Sequence, residues 1–211
     1  MRTLTAKAET TRQHILDTGR GLVLSKGFAG LGLQEILSTS GVPKGSFYHY
    51  FPSKEAFGCA LLEQYVEQYR QRLDTLAEEK GTGLERLMRY WNLWLDQPGH
   101  CGIAGQCLVV KLAAEVADLS EDMRRILNAG VARLQARIAV LITEGRSDGS
   151  LPPGTDPQAL AQVLHQMWLG AALLAKLGQD RTPLQHALAA TLPLLTCPAP
   201  TPSSRRTTGR T

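Results

Sequence analysis

No stretch of this chain approaches the roughly 18 consecutive apolar residues needed to cross a bilayer, and residues 1–14 are polar and charged rather than leader-like. The sequence therefore predicts no membrane partner and a cytoplasmic location. Cysteine is scarce. Cys59, Cys101, Cys107 and Cys197 lack paired metal-ligand spacing, and in a reducing cytosol permanent disulfides are not expected. They read as free thiols, either buried or reactive. His100, His165 and His186 have no histidine or carboxylate at ligand spacing, so no metal site is expected. A nucleotide-binding glycine loop, a Ser/His/Asp set and a Cys-x-x-Cys pair are all missing, which leaves no cofactor to assign and little support for an enzyme. Strand-like alternation is missing too, and apolar residues recur at three and four, so the fold class is all-α.

What the chain does have is an ordinary 43% hydrophobic content, enough to bury a core, and a net charge of +4 distributed unevenly. The first 57 residues hold seven Lys/Arg against four Asp/Glu, and the last segment adds Arg205, Arg206 and Arg210 with no acid. The positive charge thus lies at the two ends, which suits an N-terminal segment facing phosphates as well as a mildly basic solvated surface. The apolar spacing predicts a first helix from about residue 8, stopped by Gly27, and a short second helix over about 33–39. Gly41 supplies a turn, a third helix runs over 43–50, and Pro52 ends it. Ser53 is placed to cap a long fourth helix reaching about residue 77. Beyond Gly81 and Gly83, helices are expected over 84–95, about 103–115, from Ser120 to about 144, from Thr155 or Asp156 to about 177, and from Thr182 to about 195. The Pro/Ser/Thr/Arg stretch after Pro198 has the composition of a disordered tail.

Two short helices joined by a glycine turn behind a longer supporting helix fit a helix-turn-helix. The third helix strengthens that reading because it interleaves aromatic rings with hydrogen-bond donors on a short basic segment. Phe47 and Phe51, four apart, can anchor it in the core. Lys44, Ser46, Tyr48, His49 and Tyr50 are then left in part for phosphates and base edges, with at least one tyrosine expected to pack instead.

The run Gly41-Val42-Pro43-Lys44-Gly45-Ser46-Phe47-Tyr48-His49-Tyr50-Phe51-Pro52-Ser53-Lys54-Glu55-Ala56-Phe57 resembles the hallmark segment of the TetR family, and the likeness spans about residues 10–57. The resemblance implies an N-terminal DNA-binding domain over 1–57, a helical sensing and dimerisation domain over 58–197, and a tail over 198–211. It implies that Lys44, Gly45, Ser46, Tyr48 and His49 face DNA and that Lys54, at a helix start, meets a phosphate. Leu31 and Gly32 stand where the family often has Ser or Thr, which removes the side-chain phosphate contact expected there and leaves the amides of Gly32 or Leu33 to replace it. One such motif reads too few base pairs for useful specificity, so a homodimer on near-palindromic double-stranded operator DNA is expected. The apolar segments 171–174 and 187–190 read either as core or as the joining surface, and the resemblance assigns them to a four-helix dimer seam.

Residues 102–116 and 118–124, with Trp168 to Ala171 and Lys176, resemble the NemR-type branch of this family, repressors of genes for electrophile-reducing and detoxifying enzymes. That resemblance implies that Cys107 is a reactive sensor for an electrophile or oxidant. Residue chemistry offers two readings. In one, Cys107 lies in the first turn of the 103–115 helix, where amides and the helix dipole lower its pKa, and Lys176, which interrupts an apolar run, stabilises the thiolate. In the other, Cys107 is a small buried hydrophobe and Lys176 snorkels to water. Trp91, Trp94, Trp168 and Lys111 are candidates to line an apolar inducer pocket, although core packing is the preferred reading of the tryptophans. A thiol-dependent enzyme using Cys107 is the alternative of a different class, but no base partner is evident.

Overall fold

The computed structural model describes residues 6–95 and 102–197, and all regular structure among them is helical. The expected tail over 198–211, Cys101 and His100 lie outside the described residues. Helix α1 (Ala6–Lys26) precedes α2 (Leu33–Ser40) and α3 (Lys44–Tyr50), and α4 (Lys54–Glu78) leads away from them. Then follow α5 (Gly83–Asn92), α6 (Gly102–Gly105), α7 (Leu108–Leu119), α8 (Glu121–Ser147), α9 (Pro157–Gly178) and α10 (Thr182–Thr196).

Local chemistry sets most of these boundaries. Gly27 ends α1 at φ +83°, a left-handed conformation that costs glycine little. Ser53 accepts a hydrogen bond from the Ala56 amide at 2.9 Å, and Ser120 caps α8 through the Met123 amide at 3.2 Å. Thr82 and Glu85 form a reciprocal capping box at the start of α5. Asp156, rather than Thr155, caps α9 through the Ala159 amide, with Pro157 in the first turn.

Apolar packing forms two clusters that meet along α4. One gathers Ile15, Val23, Phe47 and Phe57 with Leu108, Leu112 and Met123. The other gathers Leu73 and Leu87 with Ile138, Leu164 and Leu184. The first cluster crosses residue 57, so the helix-turn-helix core is continuous with α7 and the start of α8 rather than separated from them by a linker. Close approach at one point depends on a missing side chain. A Cβ on Gly19 would sit 2.2 Å from Phe57 Cζ, so α1 can lie against α4 only with glycine there.

Three expectations need correction. The single helix over 103–115 is two helices, α6 and α7, broken at Gln106 and Cys107. Cys107 is therefore the N-cap of α7, with extended backbone (φ −71°, ψ 110°), and not a first-turn residue. The tryptophans are core residues, in line with the packing reading. Trp91, Trp94 and Trp168 are at most 1% exposed, and Trp91 stacks on Trp168 with centroids 4.8 Å apart. Three large rings that stack and bury one another stabilise the core more than they shape a binding site. Finally, α8 is long and apolar enough to span a bilayer by length and composition alone, contrary to the absence read from the sequence. Here it is a core helix, burying Leu127, Ile138, Leu141 and Ile142 against its neighbours.

Candidate DNA interface and thiol site

The short α3 is pinned by Phe47, fully buried between Phe51 and Phe57 with ring centroids 5.3 and 5.7 Å away. Pinning one face leaves the other open: Lys44, Gly45, Tyr48 and His49 are exposed, and Ser46 and Tyr50 are half-buried. Pro43 and Gly32 sit at the N-caps of α3 and α2 without side-chain caps, so the first-turn amides of both helices are not capped by their own side chains. Leu31 is wholly buried. Lys54 stands at the start of α4, with its ammonium 4.8 Å from the centroid of the Phe28 ring. The geometry thus groups Lys44, Gly45, Ser46, Tyr48, His49 and Tyr50 on one short helix, with a basic residue at the next helix start.

Some 60 residues further on, Cys107 Sγ is buried and accepts a hydrogen bond from Tyr65 Oη of α4 at 3.5 Å. Burial pushes the thiol above its ordinary range. The Tyr65 hydroxyl, the Val110 and Val109 amides and the Lys176 charge pull the other way without overcoming it. The helix start was expected to lower this pKa, and the missing consideration was desolvation. Lys176, half-buried on α9, is depressed first by burial and then by the charge of Lys111, with Cys107 partly offsetting both. Lys176 thus lies within electrostatic reach of both Cys107 and Lys111. Lys111 Nζ itself donates to the Ser25 carbonyl at 3.2 Å, at the end of α1.

Sequence reasoning missed Tyr65, Arg20 and Glu115. Arg20, on α1, donates to Gln68 Oε1 on α4 at 2.7 Å and reaches Gln106 Oε1, beside Cys107, at 3.5 Å. Its guanidinium lies 5.9 Å from the centroid of the Tyr65 ring. Glu115, near the end of α7, accepts from the Phe28 amide at 3.2 Å and from the Ala29 amide, fastening α7 to the turn after α1. An arginine or glutamate on the polar side of an amphipathic helix reads as solvated, and only long-range folding brings these groups to their partners.

Residues 15–58 match the family described as bacterial regulatory proteins of the tetR family, and residues 83–191 match the tetracyclin repressor-like C-terminal domain. The chain is 45% identical to the HTH-type transcriptional repressor NemR of Escherichia coli (strain K12), over 90% of this chain and 96% of that protein. The transcriptional regulator AcuR of Cereibacter sphaeroides is 35% identical, with 84% of this chain and 81% of that protein covered. The crystal structure of reduced E. coli NemR superimposes with a TM-score of 0.82 over 89% of this chain and 98% of that one. A putative TetR/AcrR family regulator of known structure is 55% identical, with a TM-score of 0.81 over 89% and 99% of the two chains. These relatives are regulators and not enzymes, and the chain belongs to the TetR family as a NemR-like transcriptional repressor.

Proposed function

We propose that this repressor grips a near-palindromic operator as a homodimer in the cytoplasm and lets go when an electrophile or oxidant modifies Cys107. The observation that carries the reading is where the thiol sits. Cys107 is the N-cap of α7, it touches Tyr65 on α4, and α7 holds the turn after α1 through Glu115. Two of the elements at the sulfur, α4 and α7, thus also pack against the helix-turn-helix core.

The chemistry is an addition. Cys107 gives up its proton, its sulfur forms a bond to an electron-poor alkene carbon, and the alkene π pair takes a proton at the neighbouring carbon. Lys176 stabilises the thiolate before the bond forms. With hydrogen peroxide the sulfur is oxidised to the sulfenic acid while the oxygen–oxygen bond breaks and water leaves. Either product enlarges a residue in a closely packed site, and overpacking of a core costs about 1–3 kcal/mol. The strain is relieved by moving α7, which loosens Glu115 from the turn after α1 and Gln106 from Arg20 and re-aims the two recognition helices. Release follows because the modified thiol fits the non-binding arrangement better than the binding one.

Dimerisation places those two helices. On α9, Val163, Gly170, Leu174 and Leu177 are exposed at helical spacing with half-buried Met167 between them, and Leu192 is exposed on α10. That apolar stripe fits the seam expected of α9 and α10, although Ala171, Ala172 and Ala187 point into the core. In an operator-release titration with N-ethylmaleimide, the wild type is expected to dissociate and Cys107→Ser to stay bound at the same dose. Equal release by both would refute the thiol mechanism.

A further inference from the structure

Away from the tryptophan core, α4 and α8 part to leave a groove of about 390 Å³, at the small end of the roughly 300–1,000 Å³ usual for binding clefts. Its floor is apolar, formed by Val66, Leu73, Val131 and Leu134. Tyr69, at its inner wall, keeps a buried hydroxyl without a hydrogen-bond partner of normal geometry among the described residues.

The rim is charged, and the charges do not cancel. Arg70 forks between Glu67 at 2.6 Å and Asp74 at 2.5 Å, and Arg137 Nε lies 3.3 Å from Asp74 Oδ1. These two carboxylates therefore face two guanidiniums already, and Arg133, exposed at the groove and felt electrostatically by Glu67, has no carboxylate within ion-pair distance among the described residues. An apolar trough with one surplus guanidinium at its mouth matches a ligand that has an apolar body and a single negative end. Arginine suits a carboxylate because its planar fork donates two parallel hydrogen bonds.

We propose that the α4–α8 groove is a reversible binding site for a small amphipathic anion, a carboxylate on a medium-length apolar body, with Arg133 as its charge-recognising residue. Nothing in this proposal depends on chemistry at Cys107, so it is tested in full-length chains carrying Cys107→Ser. Calorimetry with decanoate, decan-1-ol and decylammonium measures the contribution of charge. Decanoate is expected to bind once per chain and at least fivefold more tightly than the alcohol, with the ammonium weakest. Arg133→Glu is expected to weaken decanoate at least tenfold while leaving decan-1-ol unchanged. Ala136→Trp, at an exposed lining position, is expected to remove binding of both. No saturable decanoate binding, equal affinity for the acid and the alcohol, or indifference to Arg133→Glu or Ala136→Trp would overturn the proposal. The operator-release titration separately decides the fate of the thiol mechanism.

Discussion

At the scale of single residues, the thiol is guarded rather than primed. Because only the thiolate attacks and burial holds Cys107 above the ordinary range, its alkylation at neutral pH should be slower than that of an exposed cysteine. The rate is expected to climb about tenfold per pH unit from 7 upward, as expected while the thiolate is a minor species, and a plateau near pH 7 would contradict the burial argument. Tyr65→Phe removes the hydroxyl that favours the thiolate and should lower that rate further at each pH. His165 offers a stability test. It is 1% exposed, Gln135 Nε2 lies 3.2 Å from its Nδ1, and burial drops its pKa from 6.5 to about 4. Between these values the unfolded chain binds the extra proton, so stability should be full above about pH 6.5 and fall as pH drops through 4. The loss amounts to roughly 3 kcal/mol. Denaturant melts of His165→Leu should lack that acid slope. On α3, Lys44→Ala should weaken operator binding across all sequences and reduce the salt slope by about one.

At the scale of elements, legibility followed locality. The caps at Ser53, Ser120 and Asp156 and the stop at Gly27 were readable because a short side chain or a missing Cβ decides them within one turn. The break between α6 and α7 was not readable. Apolar spacing runs straight through Gln106 and Cys107, and the interruption coincides with contacts to Arg20 and Tyr65, far away in sequence. Burial of the thiol was one of two readings the residues allowed, whereas the α4–α8 groove was hidden for the same reason as the break. The recognition helix was legible because its aromatics and donors are contiguous. The close approach of α1 to α4 predicts that Gly19→Ala destabilises the fold by about 1–3 kcal/mol, measured as a shift in denaturant midpoint with unchanged slope. The Glu115 fastening predicts that Glu115→Gln weakens the link between α7 and α1, so that an adduct on Cys107 releases less operator than in wild type.

At the scale of the whole molecule, the proposed reading requires two copies of the repressor. An operator contact by one short helix is too small for specificity against a genome, so anything that separates the copies should abolish tight binding while leaving each fold intact. Leu174→Asp places a charge in the exposed apolar stripe of α9. Sedimentation should then show a monomer with unchanged helical content and much weakened operator affinity. In the proposed mechanism a dimer also gives the signal its leverage, because a small change at each thiol would alter the spacing between two recognition helices that must meet the duplex together. The most direct measurement follows both ends at once, recording adduct mass per chain and operator anisotropy in the same electrophile titration. The account predicts that release tracks adduct at Cys107 alone and is unmoved by adducts at Cys59 or Cys197. Release that begins before Cys107 is occupied, or a fully modified Cys107 with operator still bound, would contradict it.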